Sequence, residues 1–368
     1  MRVLLDRMRP ASPASGWDAP RHIHVEISTL CNLDCRYCVL RTNMPVKTTM
    51  PLDRFRRLLP DLRKASSVSL SGLAEPLLNP DVIPIVEELK GVAPAPHISL
   101  FSNATRLTER LADGLITARL DSLYFSLDGV SETSVDGMRR GGRLADVIAN
   151  IRALCALKRR HGSEVPHLAA TMVLHRANYH ELPDVVALAR ELAVERLDVN
   201  GLEPYTEDLV SEVLWHAPAM PHDLPDVLEA AVERAEGLGL SLGLAGLIPG
   251  SAECHEPAAP FILANGDVTA CAVLSYERDY FYRVNANLSV RTERGRSRQR
   301  IFGNAFDQGL QAVWRTSEYT AFRRAVQEGR FPEECRHCMI KHRHICVRAD
   351  VPARQVIERL RSAQMGEP

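Results

Sequence analysis

Three cysteines fall within eight residues, Cys31-Asn-Leu-Asp-Cys35-Arg-Tyr-Cys38, and no other feature of this 368-residue chain limits its fold and chemistry as much. The run follows an alternating segment, His22-Ile-His-Val-Glu-Ile27, that reads as a strand ending in a loop. Three thiolates can hold three irons of a [4Fe-4S] cube and leave the fourth open. An iron with an open position can bind a substrate or cofactor, so the spacing points to chemistry more than to bracing. Zinc usually takes four ligands in paired C-x2-C spacing, and no second pair lies close by. A disulfide needs an oxidising compartment, and nothing in the chain indicates one.

The net charge of −1 gives no overall pull toward nucleic acid or a membrane surface, so neither is an expected partner. No run of about 18 apolar residues occurs, as a membrane span would need. Met1-Arg-Val-Leu-Leu-Asp6 is too short and too charged for a signal peptide, so a cytoplasmic location is expected. Nine cysteines without such a signal suit metal ligands in a reducing cytosol. Three lie at 31–38 and five after residue 250, while Cys155 sits alone in an apolar helical pattern and reads as core.

From residue 21 to about 205, strand-like and helix-like runs alternate. Strands are expected at 23–27, 67–71, 98–101, 122–126, 168–174 and 196–199. Helices are expected at 52–64, 81–89, 144–158 and 182–192, among others. Six strand–helix units in series imply a parallel sheet with right-handed crossovers. Six are too few for a closed eight-fold barrel, so the expected fold is α/β, an open partial (β/α)6 barrel. Functional residues should lie at the C-terminal ends of its strands. The cysteine run comes just after strand one, where that rule puts it.

The C-x3-C-x2-C run, with aromatic Tyr37 before its last cysteine, resembles the signature of the radical S-adenosylmethionine (SAM) superfamily. Cys31, Cys35 and Cys38 match the family's cluster ligands. Ser71-Gly-Leu-Ala-Glu75 looks like its Gly-Gly-Glu region, which contacts the SAM amino group, although Leu73-Ala74 departs from that pattern. Ser102-Asn103-Ala104 resembles the Thr-Asn-Gly stretch near the methionyl end. Ser126-Leu-Asp128-Gly129 resembles the region that reaches the ribose. Arg140-Gly141 resembles the Arg-Gly that sets a cation against the SAM carboxylate, and Asn178 matches a recurring polar position. Singly, each has a plainer reading. Asn103 and Asp128-Gly129 are good turn residues, and Arg139, Arg140 and Arg143 could form a solvated face. The resemblance implies that SAM chelates the open iron and that an electron from the cluster cleaves the sulfonium. The resulting 5′-deoxyadenosyl radical abstracts hydrogen from a substrate carbon in a closed, dry site. An electron donor such as flavodoxin or ferredoxin is implied as a partner.

Residues 206–250 read as a helical bridge, proline-rich at 216–226, with a helix at 227–237. Asn265-Gly266 between β-like runs signals a hairpin that brings Cys271 near the chain leading from Cys254. Cys335-Arg-His-Cys338 is a C-x2-C pair suited to clamping a metal or cluster. Residues 251–350 resemble the SPASM and twitch extensions of radical SAM enzymes. The matching residues are Cys254, Gly266 shortly before Cys271, Phe302-Gly303-Asn304, a helix at 310–314, and Cys335 with Cys338. The resemblance implies a small α+β domain with one auxiliary [4Fe-4S] cluster held by Cys254, Cys271, Cys335 and Cys338. Zinc in those four sites is the alternative. Cys346 is left over as a replacement ligand, a structural thiol or a hydrogen-atom donor to a substrate radical. Residues 275–300 carry four aromatics and seven arginines, and read as a lid over the substrate or a solvated loop. Residues 1–20 read as a tail and 351–368 as a C-terminal helix or tail.

Twitch-type relatives oxidise alcohols in aminocyclitol biosynthesis, and related enzymes epimerise sugar carbons. The expected substrate is therefore a small, sugar- or aminocyclitol-like natural-product intermediate, attacked at a hydroxylated carbon. Epimerisation would use Cys346 to return hydrogen, whereas two-electron oxidation would not. A peptide- or protein-modifying maturase comes second, because only about 20 residues precede strand one, short of the peptide-recognition domain many maturases carry. A non-catalytic iron–sulfur or zinc protein comes third.

Overall fold

Apolar residues alternate with serine and histidine along the successive strands, and this pattern fixes how the sheet is covered. A computed structural model describes residues 19–41, 45–214, 220–247, 254, 259–286, 289–335 and 351–365. Its first strands are β1 (His22–Val25), the short β2 (Asp34–Cys35), β3 (Ser67–Leu70), β4 (His97–Ser102) and β5 (Ser122–Ser126). They are followed by the short β6 (Arg139–Arg140), β7 (His167–Leu174), β8 (Arg196–Gly201) and β9 (Ser241–Gly246). All but β2 and β6 stand side by side in chain order and run parallel. Such an order arises when strand–helix units wind in one direction, and it gives the expected partial barrel. The connections hold α1 (Leu52–Arg56), α2 (Leu59–Leu62), α3 (Val82–Gly91), α4 (Glu109–Thr117), α5 (Glu132–Asp136), α6 (Leu144–His161), α7 (Leu182–Glu191) and α8 (Leu224–Leu238).

On one face Ile23, Val25, Val68, Leu70, Ile98 and Leu100 join the core formed with the helices. The opposite face is polar. His22 Nδ1 lies 2.6 Å from Ser67 Oγ, Ser69 Oγ lies 3.0 Å from Ser99 Oγ, and His97 Nε2 lies 3.1 Å from Ser122 Oγ. Parallel strands buried between two helical layers read as continuous apolar runs. Here the described helices pack on the apolar side, and the interior of the open barrel is lined by hydroxyls and imidazoles.

Three expectations need correction. The helix expected at 52–64 is two, α1 and α2, because Pro60 has no N–H to continue the ladder. The bridge expected at 206–250 is not wholly helical. It ends in β9, which pairs with β8 and adds a seventh strand to the parallel array. Residues 275–300 are not an irregular loop. They form an antiparallel hairpin of β12 (Arg278–Ala286) and β13 (Ser289–Ser297), in which Arg294 and Arg296 both bind Asp279 at 2.5 and 2.9 Å.

The Asn265-Gly266 hairpin forms as expected, between β10 (Phe261–Ile262) and β11 (Asp267–Thr269). β10 lies parallel to β1, with His24 opposite Phe261 and Val25 opposite Ile262. The short β14 (Gly303–Asn304) then pairs with β11, so one ten-stranded sheet runs from β14 to β9. The helices α9 (Ala305–Gln308), α10 (Leu310–Trp314) and α11 (Ser317–Gln327) follow. The last helix, α12 (Ala353–Met365), returns to the far edge. There Arg354 reaches Glu229 and Glu236 of α8 at 2.6 and 2.9 Å. No described helix is long and apolar enough to cross a membrane.

Gly266 has a φ of +90°, and a Cβ there would lie 2.3 Å from the Phe306 ring. The Gly266→Ala variant should therefore lose roughly 1–3 kcal/mol of stability. Denaturant unfolding would show this as a lower midpoint, and an unchanged midpoint would contradict the packing described.

Candidate active site

The three-cysteine loop leaves β1 and is tied down by β2, which pairs with β6 so that Cys35 faces Arg139 and Asp34 faces Arg140. Arg36 N donates to Met138 O at 2.8 Å, and Cys38 N to Cys35 O at 3.0 Å. Cys31 is exposed, Cys38 half-buried and Cys35 buried, and all three are free thiols within electrostatic reach of one another. Burial pushes the Cys35 thiol up to about 12, with Arg139 opposing, and raises Cys31 and Cys38 as well. Thiols held neutral in this way need a cation to ionise them, and bound iron does so. Among the described residues no three His, Cys, Asp or Glu side chains converge as a single-ion site would require. A cube takes each thiolate on a separate iron, so three neighbouring but non-converging sulfurs suit it.

Glu75, after β3, is buried, and its two oxygens are shared among three donors. Oε1 accepts from Ser102 Oγ at 2.7 Å and Leu77 N at 3.0 Å, and Oε2 accepts from Asn103 N at 2.7 Å. Burial raises its pKa while these donors oppose the shift. Glu75 thus braces the ends of β3 and β4, and Ser102 stands behind it. Asn103 itself reaches the cysteine loop, donating from Nδ2 to Asn32 Oδ1 at 3.2 Å. A cavity beside that loop is lined by Leu33, Asn103, Ser126, Asp128, Arg139 and Arg143, among others.

Asp128 lines this cavity, but its carboxylate is occupied. Oδ2 accepts from Tyr37 OH and from Arg139 Nε at 2.6 Å, and Oδ1 accepts from Val173 N at 2.9 Å. The Arg139 guanidinium also sits 5.5 Å from the centroid of the Tyr37 ring. Burial raises the Tyr37 pKa, keeping the phenol a donor. Asp128, in the segment that resembles the ribose-reaching region, is held by these donors at the cavity wall. Asn178 braces the same point, with Nδ2 donating to Asp128 O at 2.7 Å and Val173 O at 2.9 Å.

Arg140, expected to face SAM, is exposed, and the cations that line the cavity are Arg139 and Arg143. Two adjacent arginines look alike in a sequence. The register of β6 against β2 decides which one turns inward. Glu26, one residue past β1 and buried, also escaped the sequence reading, although an acidic residue at a strand end beside the cysteine run was visible there. Of the C-terminal cysteines, Cys254, Cys271 and Cys335 are half-buried and pack on one apolar core. Cys338 and Cys346 lie outside the described residues.

A partial barrel with three thiols in the loop after its first strand has the layout of an iron–sulfur enzyme. Residues 25–189 match the model of the radical SAM superfamily, and residues 254–339 match that of an iron–sulfur cluster-binding domain, SPASM. The two models cover about two thirds of the chain, which belongs to the radical SAM superfamily and carries a C-terminal SPASM domain. Its cofactors are a [4Fe-4S] cluster that binds SAM and auxiliary iron–sulfur in the C-terminal domain.

The chain is 25% identical to the tungsten-containing aldehyde ferredoxin oxidoreductase cofactor-modifying protein of Pyrococcus furiosus, over 87% of this chain and 88% of that one. It is 26% identical to the PqqA peptide cyclase of Bradyrhizobium diazoefficiens, over 64% of this chain and 60% of the cyclase. In fold it resembles Streptococcus suis SuiB bound to S-adenosylmethionine, with a TM-score of 0.60 at 17% identity, over 83% of this chain and 68% of SuiB.

The Arg139–Asp128 pair is nearly solvent-free, at 14% and 0% side-chain exposure. Removing one partner of such a pair leaves a buried charge, so Arg139→Gln should cost roughly 3–5 kcal/mol. Arg140→Gln should stay within about 0.5 kcal/mol of the parent, as exposed substitutions do. Chemical unfolding of both variants checks the assignment, and equal losses would refute it.

Proposed function

We propose that the protein is a radical SAM maturase that modifies a peptide or protein substrate. Support for the peptide comes from its similarity to a PqqA peptide cyclase over 64% of the chain. The fold of SuiB, which has been crystallised with its precursor peptide SuiA, is compatible with this reading. This replaces the sugar- or cyclitol-like substrate expected from the sequence. Epimerisation with Cys346 as hydrogen donor loses its main motive along with that substrate.

When bound, the cluster and SAM supply a 5′-deoxyadenosyl radical that takes hydrogen from a substrate carbon. The chain's residues position and shield that chemistry. We assign Cys31, Cys35 and Cys38 to the cluster, and Asn103 and Ser126 to the cavity wall. Asp128, Arg139 and Tyr37 hold the cysteine loop against the sheet. Cys254, Cys271, Cys335 and Cys338 are assigned to one auxiliary cluster. A second reading, maturation of a cofactor, rests on the Pyrococcus furiosus relative, whose similarity runs nearly end to end.

Two measurements test these assignments. Anaerobic reconstitution should give about eight irons per chain, the content of two cubes, and about four in the Cys31→Ala, Cys35→Ala, Cys38→Ala variant. Cys346→Ala should keep about eight, and a fall toward four would place Cys346 among the ligands. Size-fractionated extract of the source cells should stimulate 5′-deoxyadenosine release by the reduced holoprotein. Loss of that stimulation after protease treatment supports the peptide. A protease-resistant, low-mass stimulant would favour the cofactor reading.

A further inference from the structure

The β12–β13 ribbon stands apart from the ten-stranded sheet and carries a charge opposite to that of the whole chain. Among the described residues β13 pairs with β12 alone, so the outer edge of each strand has no neighbour. From Glu277 to Arg298 the sequence holds six arginines and three acids, a net charge of +3 in a chain of net charge −1. Arg294 and Arg296 are exposed over 66% and 65% of their side chains, while Gly295 between them is buried. Alternate residues of β13 thus face outward, and Arg298, just past the strand, is exposed in the same step of two.

Asp279 of β12 lies opposite Arg296 and ties down two guanidiniums, accepting from Arg296 Nε at 2.9 Å and from Arg294 Nη2 at 2.5 Å. These bonds hold the Asp279 carboxyl below its usual range. Glu277 is a second acid within electrostatic reach of Arg296. A guanidinium has five N–H donors, and Asp279 takes one from each arginine, so both forks are fixed in place with donors to spare. The ribbon's feet stand at the barrel mouth. Tyr276 OH donates at 2.6 Å to Glu26, one residue past β1, and Arg300 N donates to Leu274 O at 3.0 Å. The cysteine loop leaves from that same end of β1.

An open strand edge takes an extended segment by backbone pairing, and cross-strand neighbours then decide which side chains are accepted. Alternate positions recur about every 6.7 Å along β13, as alternate side chains do in any extended peptide. A second copy of the ribbon would set arginine against arginine, which is destabilising. We propose that the outer edge of β13 docks an extended acidic segment of the substrate peptide, with carboxylates at every second residue set against Arg294, Arg296 and Arg298. That the partner is a peptide rests on the maturase reading above, whereas its acidity and alternation come from the ribbon. Docked there, the segment is held outside the site and leads the rest of the peptide to the end of β1.

Fluorescence anisotropy with the reconstituted holoprotein tests this, using a labelled peptide that alternates glutamate with threonine. It should bind about tenfold more tightly than its glutamine–threonine counterpart, and added salt should shrink the difference. Arg294→Gln, Arg296→Gln and Arg298→Gln together should remove the preference while iron content stays that of the parent. Two further probes carry N-methyl groups on alternate backbone amides, one at odd and one at even positions. They should differ about tenfold in affinity, because an edge strand pairs through only one of the two sets, and this comparison needs no protein variant. Equal binding of the glutamate and glutamine peptides, or a preference that survives in the triple variant, would overturn the arginine assignment. Equal binding of the two N-methylated probes would overturn strand pairing. Tighter binding of an oligothymidylate of equal charge, lost in the triple variant, would make the surface one for nucleic acid and overturn the peptide as its occupant. After any of these failures the maturase reading still stands if cell extract stimulates 5′-deoxyadenosine release in a protease-sensitive way. Loss of that sensitivity would remove the peptide reading itself.

Discussion

The buried Asp128 carboxylate is the point from which the site is built. It gathers a phenol from the cysteine loop, a guanidinium from β6 and a backbone amide from β7. Each donor is taken from water, and so is the acceptor, so the group is stable only when complete. It makes the cysteine loop part of the sheet's end. Without it, Cys35 and Cys38 would sit on a loop held by two pairs of β2–β6 partners, a 3-10 turn and more exposed polar contacts such as Arg36 with Asp208. Presenting three sulfurs to one cube demands fixed geometry, and a buried ionic knot one residue from Cys38 supplies it.

Much of this was legible in the sequence. The thiol spacing, the serial strand–helix units and the placement of polar residues after strands all survive in the structure. They survive because each depends on local chemistry: thiol spacing, apolar periodicity, and loops that must follow strands. What the sequence hid depends on pairing between distant segments. Arg139 and Arg140 are equivalent until β6 finds β2. Asp128 and Asn178 stand out in the sequence through the family resemblance, as part of a ribose-reaching segment and as a recurring polar position. Only the fold shows that they bind each other's surroundings. The alternation of serine and histidine with apolar residues was a readable sign of an apolar side for helices to pack on, and it extends well beyond the first strand.

The boundary between the two family regions is another case. Composition and cysteine clustering divide the chain near residue 250, yet the sheet does not stop there. β10 takes the place beside β1, and Glu26 draws Tyr276 and Ala264 onto the same strand. Electron transfer and substrate chemistry in such an enzyme need their centres at fixed separation. A shared sheet provides that better than a linker could.

The shared sheet has a consequence for the chain before it is finished. Until β10 arrives, β1 has β3 on one side and nothing on the other. Its outer N–H and C=O groups are then an open template for any extended segment nearby. The thiol loop leaves from that same strand. A partly folded or shortened form of the chain would thus combine a sticky edge with unligated cysteines. Its characteristic failure would be self-association through β1 rather than simple unfolding.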